Sequence, residues 1–296
     1  MKIGTCRAVT GAILGAAVTL AGCSSPDPTP IDLATLRSAS FTQIFENCCD
    51  VTGGIPQWVY DYIEVSSIWV VPATRDVVFR EAFLIHNEAA QAHILSEVQP
   101  IDVVLIRNES RLSGRTSDGW FSHSAVYVGG EVELRALGVW DDPIVTPYHS
   151  EIRSGKFAIE SVGDDVSLAG GHLFEADSMV VLRPQSLTRA RKRQIVLDLF
   201  SNIGVPFDYY FRMNNGPALF CTELIDLVMP ELDLPIQIVK GHDVILPDEV
   251  AIAALTGTVP MDFVTYIDGR RDGHTVSDAY HMAGRIVDSW PNSRPD

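Results

Sequence analysis

The feature that most limits the fold is a change of hydrophobic period at Asp102. Upstream, residues 31–98 follow helical spacing. Residues 34–46 and 56–62 read as short helices and 73–98 as a long one, with Val77, Val78, Phe83, Leu84, Ala89, Ala92 and Leu95 recurring near each turn. Downstream, short β-branched runs at 103–107, 121–128, 157–162 and 179–182 read as strands, the second closed by the turn pair Gly129-Gly130. Residues 187–202 then read as a helix capped by Ser186 and ended by Gly204, 221–228 as a helix stopped by Pro230, and 276–289 as a last helix. Residues 131–155 read as an irregular, exposed insertion. Strands followed by helices predict an α+β fold, a small antiparallel sheet or half-barrel packed against helices, with extra helices at the N-terminal side.

The first 23 residues are of a different kind. Lys2 and Arg7 precede an uncharged apolar run over 8–20, which ends in Leu20-Ala21-Gly22-Cys23. That run is too short for a membrane-spanning helix and has the layout of an export signal. Its ending resembles a bacterial lipobox, in which the cysteine is lipidated and becomes the first mature residue. The resemblance implies a signal peptide over 1–22, a lipid on Cys23, a flexible tether over 23–30, and a place in the bacterial cell envelope. Ser24 favours the periplasmic side of the outer membrane. The formal net charge is −16; without residues 1–22, which carry two basic and no acidic residues, it is −18. Such a balance argues against nucleic acid as a partner and against charge-driven binding to an anionic membrane. Membrane attachment then falls to the lipid on Cys23.

Cys6 lies within the signal, so Cys23, Cys48, Cys49 and Cys221 remain. This is no disulfide framework. The adjacent Cys48-Cys49 pair reads as a vicinal disulfide, as two buried thiols or as a partner for another cysteine. Cys221 stands at the head of a helix, where the positive end of the helix dipole lowers a thiol pKa. His123 stands at the head of a strand earlier in the chain. Close in space, the two would form a thiolate–imidazolium pair suited to covalent acyl chemistry. Taken singly, a cysteine beside Phe220 is most often core packing, and a strand histidine is most often structural. His86 and His93 are seven residues apart and lack the four-residue spacing of a helical zinc pair. Arg189, Arg191, Lys192 and Arg193 read as the solvated face of their helix.

Several segments, in order, resemble the circularly permuted papain-like hydrolases, the NlpC-superfamily group of YiiX-like and YaeF-like bacterial lipoproteins. Asp102-Val103-Val104-Leu105-Ile106 resembles the opening Gly-Asp strand, with Ile101 in place of the glycine. Trp120 to Tyr127 resembles the histidine strand, Ala158-Ile159-Glu160-Ser161 the Ile-Glu-Ala strand, and Val180 to Pro184 the strand before the long helix. Gly204 to Phe211 resembles Gly-x-Pro-Tyr-Asp-Tyr-x-Phe, Phe220-Cys221-Thr222-Glu223-Leu224 resembles Tyr-Cys-Ser-Glu-Leu, and Leu246-Pro247-Asp248-Glu249 resembles a late Pro-Asp-Asp loop. About 150 of the 296 residues are covered; residues before 100 and the insertion at 131–155 are not. The permuted order places the histidine strand before the cysteine helix.

What the resemblance implies is a Cys-His-Glu triad. Cys221 is the nucleophile, His123 the base and later the acid, and Glu160 the carboxylate that fixes the ring. Glu131, Glu133 and Asp165 are rivals for that third place. The Cys221 backbone N–H is the first oxyanion donor, Tyr209 a candidate second one, and Tyr127 a candidate substrate contact. No metal and no organic cofactor is needed. The expected layout is a signal over 1–22, a tether over 23–30, a helical extension over 31–98, a permuted papain-like domain over 99–268 and a C-terminal helical tail over 269–296. The expected function is a lipid-anchored cysteine hydrolase of the cell envelope, acting on an amide or an ester. Its substrate is lipid-like, a small amide or a peptidoglycan peptide. The alternatives are a non-catalytic lipid- or peptide-binding lipoprotein, and a redox thiol pairing Cys221 with Cys48 or Cys49.

Overall fold

The structure, a computed structural model, describes residues 32–46, 48–49, 77–116, 119–214, 216–239 and 241–290. Its centre is a seven-stranded sheet in the order β4-β3-β2-β1-β5-β8-β9, antiparallel throughout. The strands are β1 (Val103–Arg107), β2 (His123–Tyr127), β3 (Ala158–Val162), β4 (Asp165–Ala169), β5 (Ser178–Pro184), β8 (Met261–Arg270) and β9 (Gly273–Ser277). A separate hairpin pairs β6 (Gln237–Val239) with β7 (His242–Val244). The helices are α1 (Leu33–Leu36), α2 (Phe41–Phe45), α3 (Glu88–Glu97), α4 (Leu112–Thr116), α5 (Glu131–Leu137), α6 (His149–Arg153), α7 (Arg189–Ser201), α8 (Cys221–Val228), α9 (Pro247–Thr256) and α10 (Ala279–Ser289). The expected α+β class is what the chain adopts.

Both faces of the central strands are covered, which explains why β1 and most of β5 read as unbroken apolar runs instead of alternating ones. Val103, Leu105, Val126, Ile159, Val180 and Leu182 point to one face and pack with α7, α8, α9 and α10. Val104, Ile106, Ala125, Ala158, Met179 and Val181 point to the other and meet Ala90 and Ile94 of α3 with Leu84, Leu173 and Phe174. Alternation thus survives as a choice between two cores.

Several expected boundaries move, each for a local reason. The long helix over 73–98 is only α3. Upstream of it the buried Asp177 carboxylate accepts the Phe83 N–H at 3.1 Å and a forked pair from Arg80 at 2.7 and 2.8 Å. Leu84 N–H donates to the Ala176 carbonyl. These bonds take the donors a helix would use, and Asn87 caps α3 instead, with its side chain on Ala90 N–H. The buried face of α3 is therefore Ala90 and Ile94, while Leu95 is exposed. The helix expected over 34–46 is two short ones, because Ser40 forms a capping box with Gln43. Thr188, not Ser186, caps α7. The insertion over 131–155 contains α5 and α6. The sheet extends through β8 and β9 to Ser277, across the boundary placed at 268. The signal, the tether, Cys23 and the helix expected over 56–62 lie outside the described residues.

Buried carboxylates fasten the segment that leads into β2. Asp248, at the start of α9, accepts the N–H groups of Trp120 and Phe121 at 2.7 Å each and the indole N–H of Trp290 at 2.8 Å. Asp102 holds Arg183 at 2.7 and 2.9 Å and accepts Gln99 N–H at 2.8 Å. Ile101 beside it has φ +77°, a conformation that a β-branched residue adopts only at a cost.

Asp248→Ala strips two backbone amides of their buried acceptor. It is expected to cost about 3 kcal/mol, read as a lower urea midpoint at unchanged slope, with Asp248→Asn losing less. Burial pushes the Asp248 carboxyl up to about 6, against the pull of its N–H donors. Its contribution to stability is then fully present below its unfolded value and is lost as pH rises through about 6. The same urea series on Asp248→Asn should lack that loss.

Candidate active site

Cys221 is the first residue of α8. Phe220 before it is extended (ψ 172°) and supplies no side-chain cap, so the helix end is built from other groups. The Glu223 carboxylate receives the Phe220 N–H and, at 2.8 Å, the Asn214 N–H. The first intrahelical bond runs from Leu224 N–H to the Phe220 carbonyl, which leaves the Cys221 N–H ahead of the ladder and directed out of the helix end. Two buried hydroxyls fix the approach. Thr222 Oγ1 donates to the Ile245 carbonyl and Ser161 Oγ to the Leu219 carbonyl, both at 2.6 Å. Leu224, Ile225 and Val228 enter the core under β2 and β3. The sulfur is thereby held at the head of β2, with the residue only 8% exposed.

His123 is the first residue of β2. The register sets Ala125 opposite Glu160, and a strand's period of two places His123 and Glu160 on one face as diagonal neighbours. His123 Nε2 meets Glu160 Oε2 at 2.7 Å. A carboxylate only accepts, so Nε2 carries the proton and Nδ1 is left for the sulfur. The Cys221 thiol hydrogen-bonds His123 and also faces Ser124. The Ser124 hydroxyl is buried with no nitrogen or oxygen partner among the described residues.

The electrostatics follow from burial and pairing. Burial alone would lower the His123 pKa, but hydrogen bonds to Cys221 and Glu160 outweigh it and raise the ring to about 10. Burial would raise the Cys221 pKa, and the bond to His123 outweighs it, so the thiol is held below its ordinary value. Burial likewise works against an ionised Glu160, and the bonds from His123 and His172 bring it down to about 2. The three groups together favour thiolate, imidazolium and carboxylate.

Of the carboxylates weighed from the sequence, Glu160 is the one on His123. Glu131 pairs with Arg135 and Arg153, Glu133 accepts Gly130 N–H, and Asp165 opens β4. The Tyr209 hydroxyl donates to the Gly163 carbonyl and its ring meets the edge of Phe207, so its single proton is already placed and is not offered to an oxyanion. Tyr127 is buried in β2 with its ring 5.9 Å from that of Phe157; burial pushes its hydroxyl up to about 12. That is a packing position and not an exposed substrate contact. Cys48 and Cys49 are bonded to each other and Cys221 is a free, buried thiol, which removes the pairing of Cys221 with either. Among the described residues, no three histidine, cysteine, aspartate or glutamate side chains are grouped to hold a metal ion.

Sequence reasoning missed His172. It lies in a 3₁₀ turn (Gly171–Phe174) after β4, and its Nε2 meets the second oxygen of Glu160 at 3.0 Å. The signal was a histidine three residues beyond a strand paired with β3, which was invisible because β4 itself was not read as a strand.

No family model matches the chain, and no curated protein matches it. Among solved structures, the metalloprotein YiiX from Escherichia coli O157:H7 aligns over 62% of this chain and 97% of its own, at 14% identity and a TM-score of 0.35.

With iodoacetamide as the probe, Cys221 should alkylate measurably at about pH 6, below the range of an ordinary thiol. His123→Ala should slow that rate at least tenfold, the equivalent of about one pKa unit. Peptide mapping of the labelled cysteine checks both.

Proposed function

We propose that this chain is a cysteine hydrolase that works through a thioester on Cys221. The observation that carries the reading is the buried Cys221–His123–Glu160 arrangement, with the sulfur at a helix end and the ring fixed by a carboxylate. The Cys221 thiolate attacks a carbonyl carbon, and the Cys221 N–H donates to the oxygen that gains charge. His123 gives its Nδ1 proton to the departing amine or alcohol, and a thioester remains. Water then attacks the thioester carbon and gives its proton to His123. The sulfur leaves as thiolate and the acid is released. Glu160 holds the ring in the orientation both transfers need.

The order of the chain, histidine strand before cysteine helix, supports placing this enzyme with the permuted papain-like group. The Leu20-Ala21-Gly22-Cys23 ending supports a mature protein tethered by a lipid on Cys23 to the bacterial envelope. We take the substrate to be an amide or ester of the lipid-like or small-amide class, with peptidoglycan stem peptides as the second class to be screened.

Intact-mass analysis after exposure to a short-chain p-nitrophenyl ester is the direct test. One acyl group should appear on Cys221 and be absent from Cys221→Ala. Glu160→Gln should acylate roughly tenfold or more slowly at neutral pH, because His123 loses its ionic partner. No adduct on the wild-type protein with esters or amides, together with tight binding of a fatty acid or peptide, would put the non-catalytic reading in its place.

A further inference from the structure

The two oxygens of Glu160 are divided between two imidazoles, Oε2 to His123 and Oε1 to His172. Glu160 is 4% exposed, and a carboxylate that deep needs a donor on each oxygen. His172 is the second donor. Gly170 N–H points at its Nδ1 at 3.4 Å. An amide only donates, so Nδ1 accepts, and the proton of the neutral ring sits on Nε2, towards Glu160. The His172 side chain is 51% exposed against 19% for His123, so this end of the chain of groups is the more open to solvent.

We propose that His172 is a positioning residue for the thiol pair: it holds Glu160 on His123, and its own protonation moderates how strongly Glu160 favours the His123 imidazolium. The inference rests on the Cys221–His123–Glu160 reading above. With His172 neutral, the thiolate, imidazolium and carboxylate sum to one negative charge in a buried space. A proton on His172 cancels that charge and draws Glu160 away from His123 as a second cationic claimant. The charged groups that face His172 are Glu160 from β3, Glu175 at the end of its own turn and Lys156 just before β3. Beyond Glu160 stand His123 on β2 and Cys221 on α8. The hydrogen bond to Glu160, aided by Glu175 and opposed by burial and Lys156, raises the His172 pKa.

The test is the pH profile of Cys221 alkylation by iodoacetamide in the full chain, for wild type, His172→Ala and His172→Gln. The wild-type acid limb should need two ionisations. His172→Ala should show one and a plateau lowered about tenfold, as expected when Glu160 shifts the His123 equilibrium by about one pKa unit. His172→Gln restores an N–H donor that does not titrate, so it should recover most of the plateau and still show one ionisation. A thermal melt separates these effects from loss of fold. A His172→Ala profile that overlays the wild type overturns the proposal. If His123→Ala and Glu160→Gln change the profile while His172→Ala does not, this inference alone fails. If all three overlay the wild type, the triad reading fails with it.

Discussion

A carboxylate withdrawn from water persists as an anion only when both oxygens meet donors, and Glu160 meets one imidazole on each. The rest of the site depends on that bond pair. Burial disfavours the His123 imidazolium, and the bonds to Cys221 and Glu160 together outweigh it; burial also disfavours the Cys221 thiolate, and the bond to His123 outweighs that. The helix dipole adds to the thiolate's favour, by up to about 2 kcal/mol where the helix end is withdrawn from water. The bond to the neighbouring His123 is the largest cause that lowers the Cys221 pKa. The sheet makes the neighbour available, since Ala125 opposite Glu160 fixes the diagonal contact, and a slip by one residue would turn Glu160 to the other core.

The same device recurs elsewhere in the molecule. Asp102, Asp177, Asp208, Asp248 and Asp268 are all buried, and each receives backbone or side-chain donors. Asp177 gathers the segment before α3 and the turn after β1; Asp248 ties the entry of β2 to α9 and Trp290. A chain with 38 acidic residues thus spends part of its acidity inside, on holding loops.

The helix of Cys221 was legible to the residue, because Pro230 and the apolar run set its ends. The β1, β2, β3 and β5 runs were legible because they are short, mostly apolar and buried on both faces. The choice of Glu160 as partner of His123 followed from a motif resemblance and is matched by the register. Strands β4, β8 and β9 escaped because Asp165, Ser167, Asp262, Thr265, Asp268 and His274 break the apolar run; their partners are set by long-range pairing rather than by local pattern. The long helix over 73–98 failed for a related reason: Asp177, 94 residues away from Phe83, claims its backbone. His172 could not be foreseen without β4. The Tyr209 reading failed because a hydroxyl's acceptor, Gly163, is a matter of tertiary placement.

The measurement that tests the central claim most directly is an NMR titration of the His123 ring nitrogens in selectively labelled protein. A His123 that stays doubly protonated through neutral pH and deprotonates only towards about 10 is expected when Glu160 and the Cys221 thiolate flank it. A ring that titrates near its ordinary value, unchanged in Cys221→Ala, would contradict the thiolate–imidazolium pair on which the proposed chemistry stands.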